Sequence, residues 1–230
     1  MVTSRLKTDS PGPEVSRRQA RRTKRTEQYL AIARELFLER GYDATRVEEV
    51  SDRAGYSKRT LYLYFDTKHE LFCAVLCPIL EALQESLLKA ASHGQTGRDQ
   101  LIDIARAYFD FAQTQLDAFS LLLYFETHDF YRSRNDSSVP KHAAQCMAVN
   151  EQISEHVDSI IQRGINDGSI ASQHTPAQLN LMFWASSVGL MQVCRQRAGV
   201  LEDHYGITES DLLDGFVQRF FPVLHQRAPK

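Results

Sequence analysis

The stretch TRVEEVSDRAGYSKRTLYLYFDTKHELF, residues 45–72, decides the fold class. Thr45 stands three residues before Glu48, the spacing of a capping box in which hydroxyl and carboxylate satisfy each other's free backbone donors, and Val47, Val50 and Ala54 give the helix behind it an inner face. Gly55 supplies the left-handed conformation that an abrupt corner needs. Ser57 is a good cap for a further helix of about two turns, anchored inward by Leu61 and Phe65 at i, i+4 spacing. With those anchors inside, Lys58, Arg59, Thr60, Tyr62 and Tyr64 face outward. Thr67 and Glu70 repeat the capping-box spacing and open a longer helix through Leu71, Val75, Leu76, Ile79, Leu80, Leu83 and Leu87, which Pro78 should kink or divide. Two short helices around a glycine corner, the second presenting cations and tyrosines, have the form of a helix-turn-helix. A duplex suits such a surface: its phosphates accept hydrogen bonds from Tyr, Lys and Arg, and its major groove offers base edges and thymine methyls. The competing reading is a solvated helix corner with half-buried tyrosines.

Upstream, Tyr29, Ile32, Ala33, Leu36 and Phe37 recur at helical spacing between about Arg22 and Arg40, with Gly41 as the stop. Residues 1–20 hold Pro11, Gly12 and Pro13 without periodicity and are expected to form a disordered arm. Residues 1–25 carry Arg5, Lys7, Arg17, Arg18, Arg21, Arg22, Lys24 and Arg25 against Asp9 and Glu14, although the whole chain has a formal charge of -2. A basic end on an acidic body points to a polyanion site at one pole. Downstream, helical patterns run over about 98–117, 119–130, 138–167, 176–198 and 209–225, and no strand pattern is convincing. The chain thus reads as all-α, with an arm over 1–20, a three-helix unit over 21–68 and a larger helical body over 69–230.

Cys73, Cys77, Cys146 and Cys194 form neither a CxxC pair nor a disulfide framework, which suits reduced thiols acting as core filler. No apolar run reaches the roughly 18 residues of a membrane span, and the first residues offer no hydrophobic stretch for a signal peptide. A cytoplasmic protein with no membrane partner is the expectation. No GxSxG, P-loop or HExxH motif is present, so an enzyme is not expected, and neither is a cofactor.

The ARELFLERGYDAT entry, the AGYSKRTLYLYF segment and the TKHELF start of the fourth helix together resemble the DNA-binding domain of the TetR family of bacterial transcriptional regulators. The resemblance covers about residues 22–80. It implies that the third helix enters the major groove while the start of the fourth meets the backbone. Carried over by position, Lys58, Arg59, Thr60 and Leu63 become candidates for base or groove contact, and Thr45, Tyr62, Tyr64 and Lys68 for phosphate contact. Leu63 stands where many members have a polar or aromatic residue, which leaves contact with a thymine methyl as its role. Arg46, beside the cap of the second helix, is a further phosphate candidate, and Arg17, Arg18, Arg21 and Arg22 could reach the minor groove or the phosphates. A tail used only for solubility is the alternative for those four.

For the C-terminal body the resemblance implies a homodimer built on two helices per subunit and an effector cavity. Phe183, Leu190, Leu213, Phe216, Val217 and Phe220 are the candidate interface residues, with intrachain core as the rival reading of the stripe that runs on through Phe221 and Leu224. Tyr108, Phe111, Phe125, Glu126 and His128 are the candidate cavity residues, within a segment whose aromatics also include Phe130 and Tyr131, and an apolar or aromatic ligand follows. Glu126, His128, Asp129, His142 and His156 are residue types that bind metals, but dispersed His and carboxylates are more often surface groups, so no metal is assigned.

The sequence therefore leads to a homodimeric regulator, a repressor that leaves a pseudo-palindromic operator on double-stranded DNA when a small molecule occupies the C-terminal body. Two alternatives stand beside it: a helical enzyme with an accessory DNA-binding unit, and a DNA-binding protein without an effector.

Overall fold

The computed structural model describes residues 13–128 and 139–223, less the side chains of 13–16, 198 and 219–223. Among them are nine helices and no strand: α1 (Pro13–Ala44), α2 (Val47–Arg53), α3 (Lys58–Tyr62), α4 (Lys68–Ala91), α5 (Gly97–Thr114), α6 (Leu116–Thr127), α7 (Lys141–Asn166), α8 (Pro176–Tyr205) and α9 (Glu209–Val223). The chain is all-α, as its patterning requires. It divides into two compact units, Met1–Val75 and Leu76–Lys230, so the division falls inside α4 rather than at its start.

In the first unit α1 begins at Pro13, well before the expected Arg22, and residues 13–20 are helical rather than an arm. Proline suits a helix's first turn, and the Arg, Gln and Ala that follow are strong helix formers with no glycine before Gly41. Residues 1–12 lie outside the described residues. Tyr29, Leu36 and Phe37 of α1 are buried with Val50 of α2, Leu61 of α3 and Phe65. Gly55 makes the corner between α2 and α3 at a φ of 74°, which an L side chain rarely adopts. Ser57 caps α3 by accepting the Thr60 amide at 3.2 Å, and Thr67 likewise accepts the Glu70 amide at 3.0 Å at the start of α4. The Thr45–Glu48 capping box does not form. Arg46 stands at the N-cap of α2 without a side-chain cap bond, while the Thr45 hydroxyl donates backward to the carbonyls of Leu36 at 3.0 Å and Gly41 at 2.7 Å. At 3% exposure, Thr45 is buried polar matter that must find acceptors inside, and α1 supplies them.

Pro78 does not divide α4, which runs unbroken past it with Pro78 on an exposed position. By length and composition α4 could cross a membrane, contrary to the sequence expectation, but Phe72, Leu76, Leu80, Leu83 and Leu87 along it are buried in the protein.

In the second unit α5 and α7 cross at two glycines. A Cβ on Gly97 would lie 2.2 Å from the Gly164 nitrogen and 2.7 Å from the Ile160 carbonyl oxygen, so no side chain fits there. The start of α5 is held by a Thr96–Asp99 capping box and by the Asp167 carboxylate, which accepts the Gly97 amide at 2.9 Å. Hydrogen bonds from Ser169 and Gly97 keep Asp167 below the ordinary carboxylate range. Cys77 of α4 and Cys146 of α7 are buried free thiols with their sulfurs 3.1 Å apart. The stripe of α9 turns into its own chain: Leu213 and Val217 are buried, and the Phe216 ring lies 5.8 Å from Phe109 and 6.1 Å from Phe183.

Candidate functional site

The face of the first unit is built by spending aromatic rings inward and leaving cations outward. Tyr29 is fully buried, with the rings of Tyr56 at 5.7 Å, Tyr64 at 5.6 Å and Phe65 at 6.5 Å around it. Tyr64 is consequently half-buried. Its hydroxyl accepts from Arg25 at 3.4 Å, and the Arg22 guanidinium sits 5.3 Å from its ring centroid. Of the candidates at the C-terminal end of α3, Tyr62 and Leu63 are the exposed ones, and Leu63 at 71% is the most exposed large apolar side chain described. A leucine kept so far out of the core has no role in packing its own unit.

Lys58 and Arg59 stand exposed in the first turn of α3, and Thr60 is half-exposed with its hydroxyl 2.9 Å from that of Ser57. Lys58 is paired with Glu48 across the corner, which holds that carboxyl below its ordinary value with a further contribution from Arg46. Arg59 makes no hydrogen bond or ion pair among the described residues. Lys68 is half-buried, donates to the Asp43 carbonyl at 3.1 Å and lies 4.4 Å from the Tyr42 ring, and burial lowers its pKa. It retains two further N–H donors. Thr45 drops out as a phosphate ligand through its hydroxyl, which is spent inside. What the sequence missed is that its four basic arm candidates share a helix. Arg17, Arg18, Arg21 and Arg22 are exposed on a helix, and their i, i+4 spacing was the signal that could have found it.

The second unit holds a cavity of about 600 Å³, open to solvent on one side, among α4 to α8. Leu83, Leu87, Ile104 and Phe183 form an apolar wall, and Tyr108, Glu126 and Trp184 meet at a polar one. Burial raises the Glu126 carboxyl to about 7, against opposing hydrogen bonds from Trp184 and Tyr108, whose hydroxyl donates at 3.5 Å. The Tyr108 phenol is pushed well above its ordinary value by the same burial and then by the Glu126 charge. Of the five cavity candidates, Tyr108 and Glu126 line the space and Phe111, Phe125 and His128 do not. Phe125 is buried in the core, and His128 is exposed and stacked on Tyr124 at 3.8 Å. For Phe125 the reason is helical phase: on α6 a residue one position from Glu126 points about 100° away from it. The contribution of α7 was missed. Met147, Asn150, Ser154 and Asp158 share one face by helical spacing and line the cavity from the side opposite α6.

Phe183, Leu213 and Val217 are buried within their own chain and Leu190 and Phe216 are half-buried, because α9 closes on α5 and α8. The side chains of Phe220 and Phe221, and all of Leu224, Asp129, Phe130 and Tyr131, lie outside the described residues. On α8 the exposed residues Met182, Ala185, Ser186, Gly189, Val193 and Val200 form a stripe at helical spacing. A Cβ on Gly189 would meet nothing within 4 Å, so packing within the chain does not account for that glycine. Among the described residues no group of three or more His, Cys, Asp or Glu is placed to hold a metal, and Glu126, His128, His142 and His156 do not converge.

Residues 30–75 match the family described as bacterial regulatory proteins, tetR family. The chain is 33% identical over 142 residues to the HTH-type transcriptional activator FasR of Mycolicibacterium smegmatis, a match spanning 62% of this chain and 61% of that protein. It is 25% identical over 166 residues to the HTH-type transcriptional repressor KstR2 of Rhodococcus jostii, spanning 72% and 75%. The fold is similar to that of AibR in complex with isovaleryl coenzyme A and operator DNA, with a TM-score of 0.62 at 17% identity over 86% of this chain and 98% of that one.

Proposed function

We propose that this chain, whose residues 30–75 match the bacterial regulatory proteins of the tetR family, is a homodimeric, cytoplasmic transcriptional regulator of that family that binds a pseudo-palindromic operator. The observation that carries this reading is the outer edge of α3: an unpaired Arg59, an exposed Tyr62 and an exposed Leu63 on a second helix too short to need them for its own packing. Arg59 suits a guanine edge or a phosphate, Tyr62 a phosphate and Leu63 a thymine methyl. Lys58 and Arg46 add positive charge beside them, and Lys68 can give a phosphate its remaining donors. The basic face of α1 serves the DNA backbone.

Dimerisation is assigned to the exposed stripe of α8 rather than to α9, whose exposed positions Ser210, Asp211, Asp214 and Gln218 are polar. Gly189 would allow a partner helix to approach closely. The cavity is the effector site, and repression relieved by the effector is the regulation proposed. The named relatives include both an activator and a repressor, so that sign rests on the proposal. The same helix supplies Lys68 to the first unit and Leu83 and Leu87 to the cavity, which gives coupling a covalent route. Only an effector that binds the two arrangements unequally can use it.

Selection of bound duplexes from a random library tests the reading. It is supported if the recovered sequences share an inverted repeat with half-sites about one helical turn or more apart, bound by two chains. Val193→Glu should then leave a monomer that loses the full site. Recovery of sequences without symmetry, or a Val193→Glu protein that binds as well as the parent, contradicts it.

A further inference from the structure

The cavity's charge is one-sided. Four carboxylates, Glu126, Glu151, Glu155 and Asp158, stand among its lining residues, and among the described residues no lysine, arginine or histidine does. Glu151 and Glu155 are exposed, which puts them toward solvent, whereas Glu126 is half-buried, with the buried Tyr108 and the partly exposed Trp184 beside it. Asp158 already accepts from the Asn180 amide at 2.8 Å, and that amide also donates to the Ser154 carbonyl at 3.2 Å, so the donors on this wall are engaged. Ser187, a lining residue at 2% exposure, keeps a hydroxyl with no partner. A buried polar group left unsatisfied in a folded chain points to a missing neighbour.

An anionic ligand seated at the polar wall would lose water and meet the Glu126 carboxylate with no described cation lining the space, a costly exchange. A cation meets the reverse: a carboxylate at the polar wall, two aromatic rings beside it, and an apolar wall for its hydrocarbon. We propose that the cavity takes an organic monocation, an amine or quaternary ammonium whose apolar body packs on Leu83, Leu87, Ile104 and Phe183 and whose nitrogen sits at Glu126 between Tyr108 and Trp184. The proposal rests on the reading of this cavity as an effector site and specifies its chemistry.

Decyltrimethylammonium, decanol and decanoate share one tail and differ in head group, so they separate charge from greasiness. Trp184 is the only tryptophan in the chain, and its fluorescence reports occupancy at the proposed position. Binding by fluorescence and calorimetry at pH 8 should favour the ammonium over the alcohol at least tenfold, with the carboxylate weakest. Glu126→Gln should remove about tenfold of ammonium affinity and leave decanol unchanged, and the retained decanol binding certifies that the variant is folded. Moving the native protein from pH 8 to pH 6 should weaken the ammonium about tenfold and spare the alcohol, as Glu126 takes up a proton. Tyr108, Glu151, Glu155 and Asp158 are the other ionisable groups at the cavity, and the Glu126→Gln protein assigns the step by losing it. Decanoate binding as tightly as the ammonium, silence from all three probes, or an ammonium-to-decanol ratio untouched by Glu126→Gln overturns the proposal. Decanoate preference would leave the effector reading standing. Ammonium binding by a protein that selects no duplex would instead defeat the regulator reading and leave the cation site intact.

Discussion

The two units treat charge and aromatic rings in opposite ways. Around α3 the rings of Tyr29, Tyr56 and Tyr64 are turned inward while Arg59, Lys58 and Arg46 stand in solvent. In the second unit Glu126 is drawn in beside Tyr108 and Trp184, deep enough for burial to raise its carboxyl to about 7. An exposed cation costs the fold little and is free to meet a partner. A buried carboxylate is held against its preference for water and influences stability whether or not a ligand comes. Substitutions on the first surface should therefore change binding with stability kept, and those around the cavity should change stability itself.

The largest expected effect tests whether the second unit is as tightly determined as its helix crossing suggests. Gly97→Ala places a Cβ where only backbone atoms of α7 stand, so α5 and α7 must separate. A loss of about 3 kcal/mol is expected, read from the urea midpoint. A loss under about 1 kcal/mol would mean that the crossing is soft. Second in size is the cavity carboxylate. Its folded value of about 7 lies above the ordinary 4.5, so the native state holds the extra proton between them and its contribution to stability falls as pH rises from about 4.5 to about 7. Glu126→Gln removes that loss. The variant should be more stable than the parent by about 2 kcal/mol at pH 8 and nearly equal to it at pH 5. Equal stability at both pH values would show that Glu126 is solvated and would collapse the contrast between the units.

On the first surface Arg59→Ala should weaken a selected duplex about tenfold, or about 1.4 kcal/mol, with a urea midpoint within about 0.5 kcal/mol of the parent. The smallest effect is that of Tyr62→Phe, which removes one exposed hydroxyl and should cost about 0.5–1 kcal/mol in DNA binding and almost nothing in stability. A large fall in stability from either would place the side chain in the core instead.

What could be read ahead of the structure follows from how local each signal is. Gly55, Ser57, Leu61 and Phe65 act within a few residues of themselves, and each does what its spacing requires. Thr45 and Glu48 had the spacing of a capping box, but a threonine enclosed by α1 bonds the nearest carbonyls, and those belong to residues earlier in the chain. The apolar stripe of α9 was legible as a stripe. Whether it would meet another chain or its own depended on where α5 and α8 lay, and Phe109 and Phe183 meet it first. On the cavity wall Tyr108 and Glu126 stood in an aromatic segment that drew notice, whereas Glu151, Glu155 and Asp158 on α7 resemble any solvated helix face until α6 and α8 are set opposite them.

The central claim is that the α3 edge reads duplex DNA through cations held in solvent. It is tested most directly by the affinity of the full-length protein for a selected palindromic duplex and for its scrambled sequence, measured across a range of salt concentrations. The account predicts a linear fall of log affinity with log salt for both duplexes, a palindrome bound at least about a thousandfold more tightly, and a preference that shrinks in Arg59→Ala. Equal affinity for the two duplexes, or a preference that survives intact in Arg59→Ala, would contradict it.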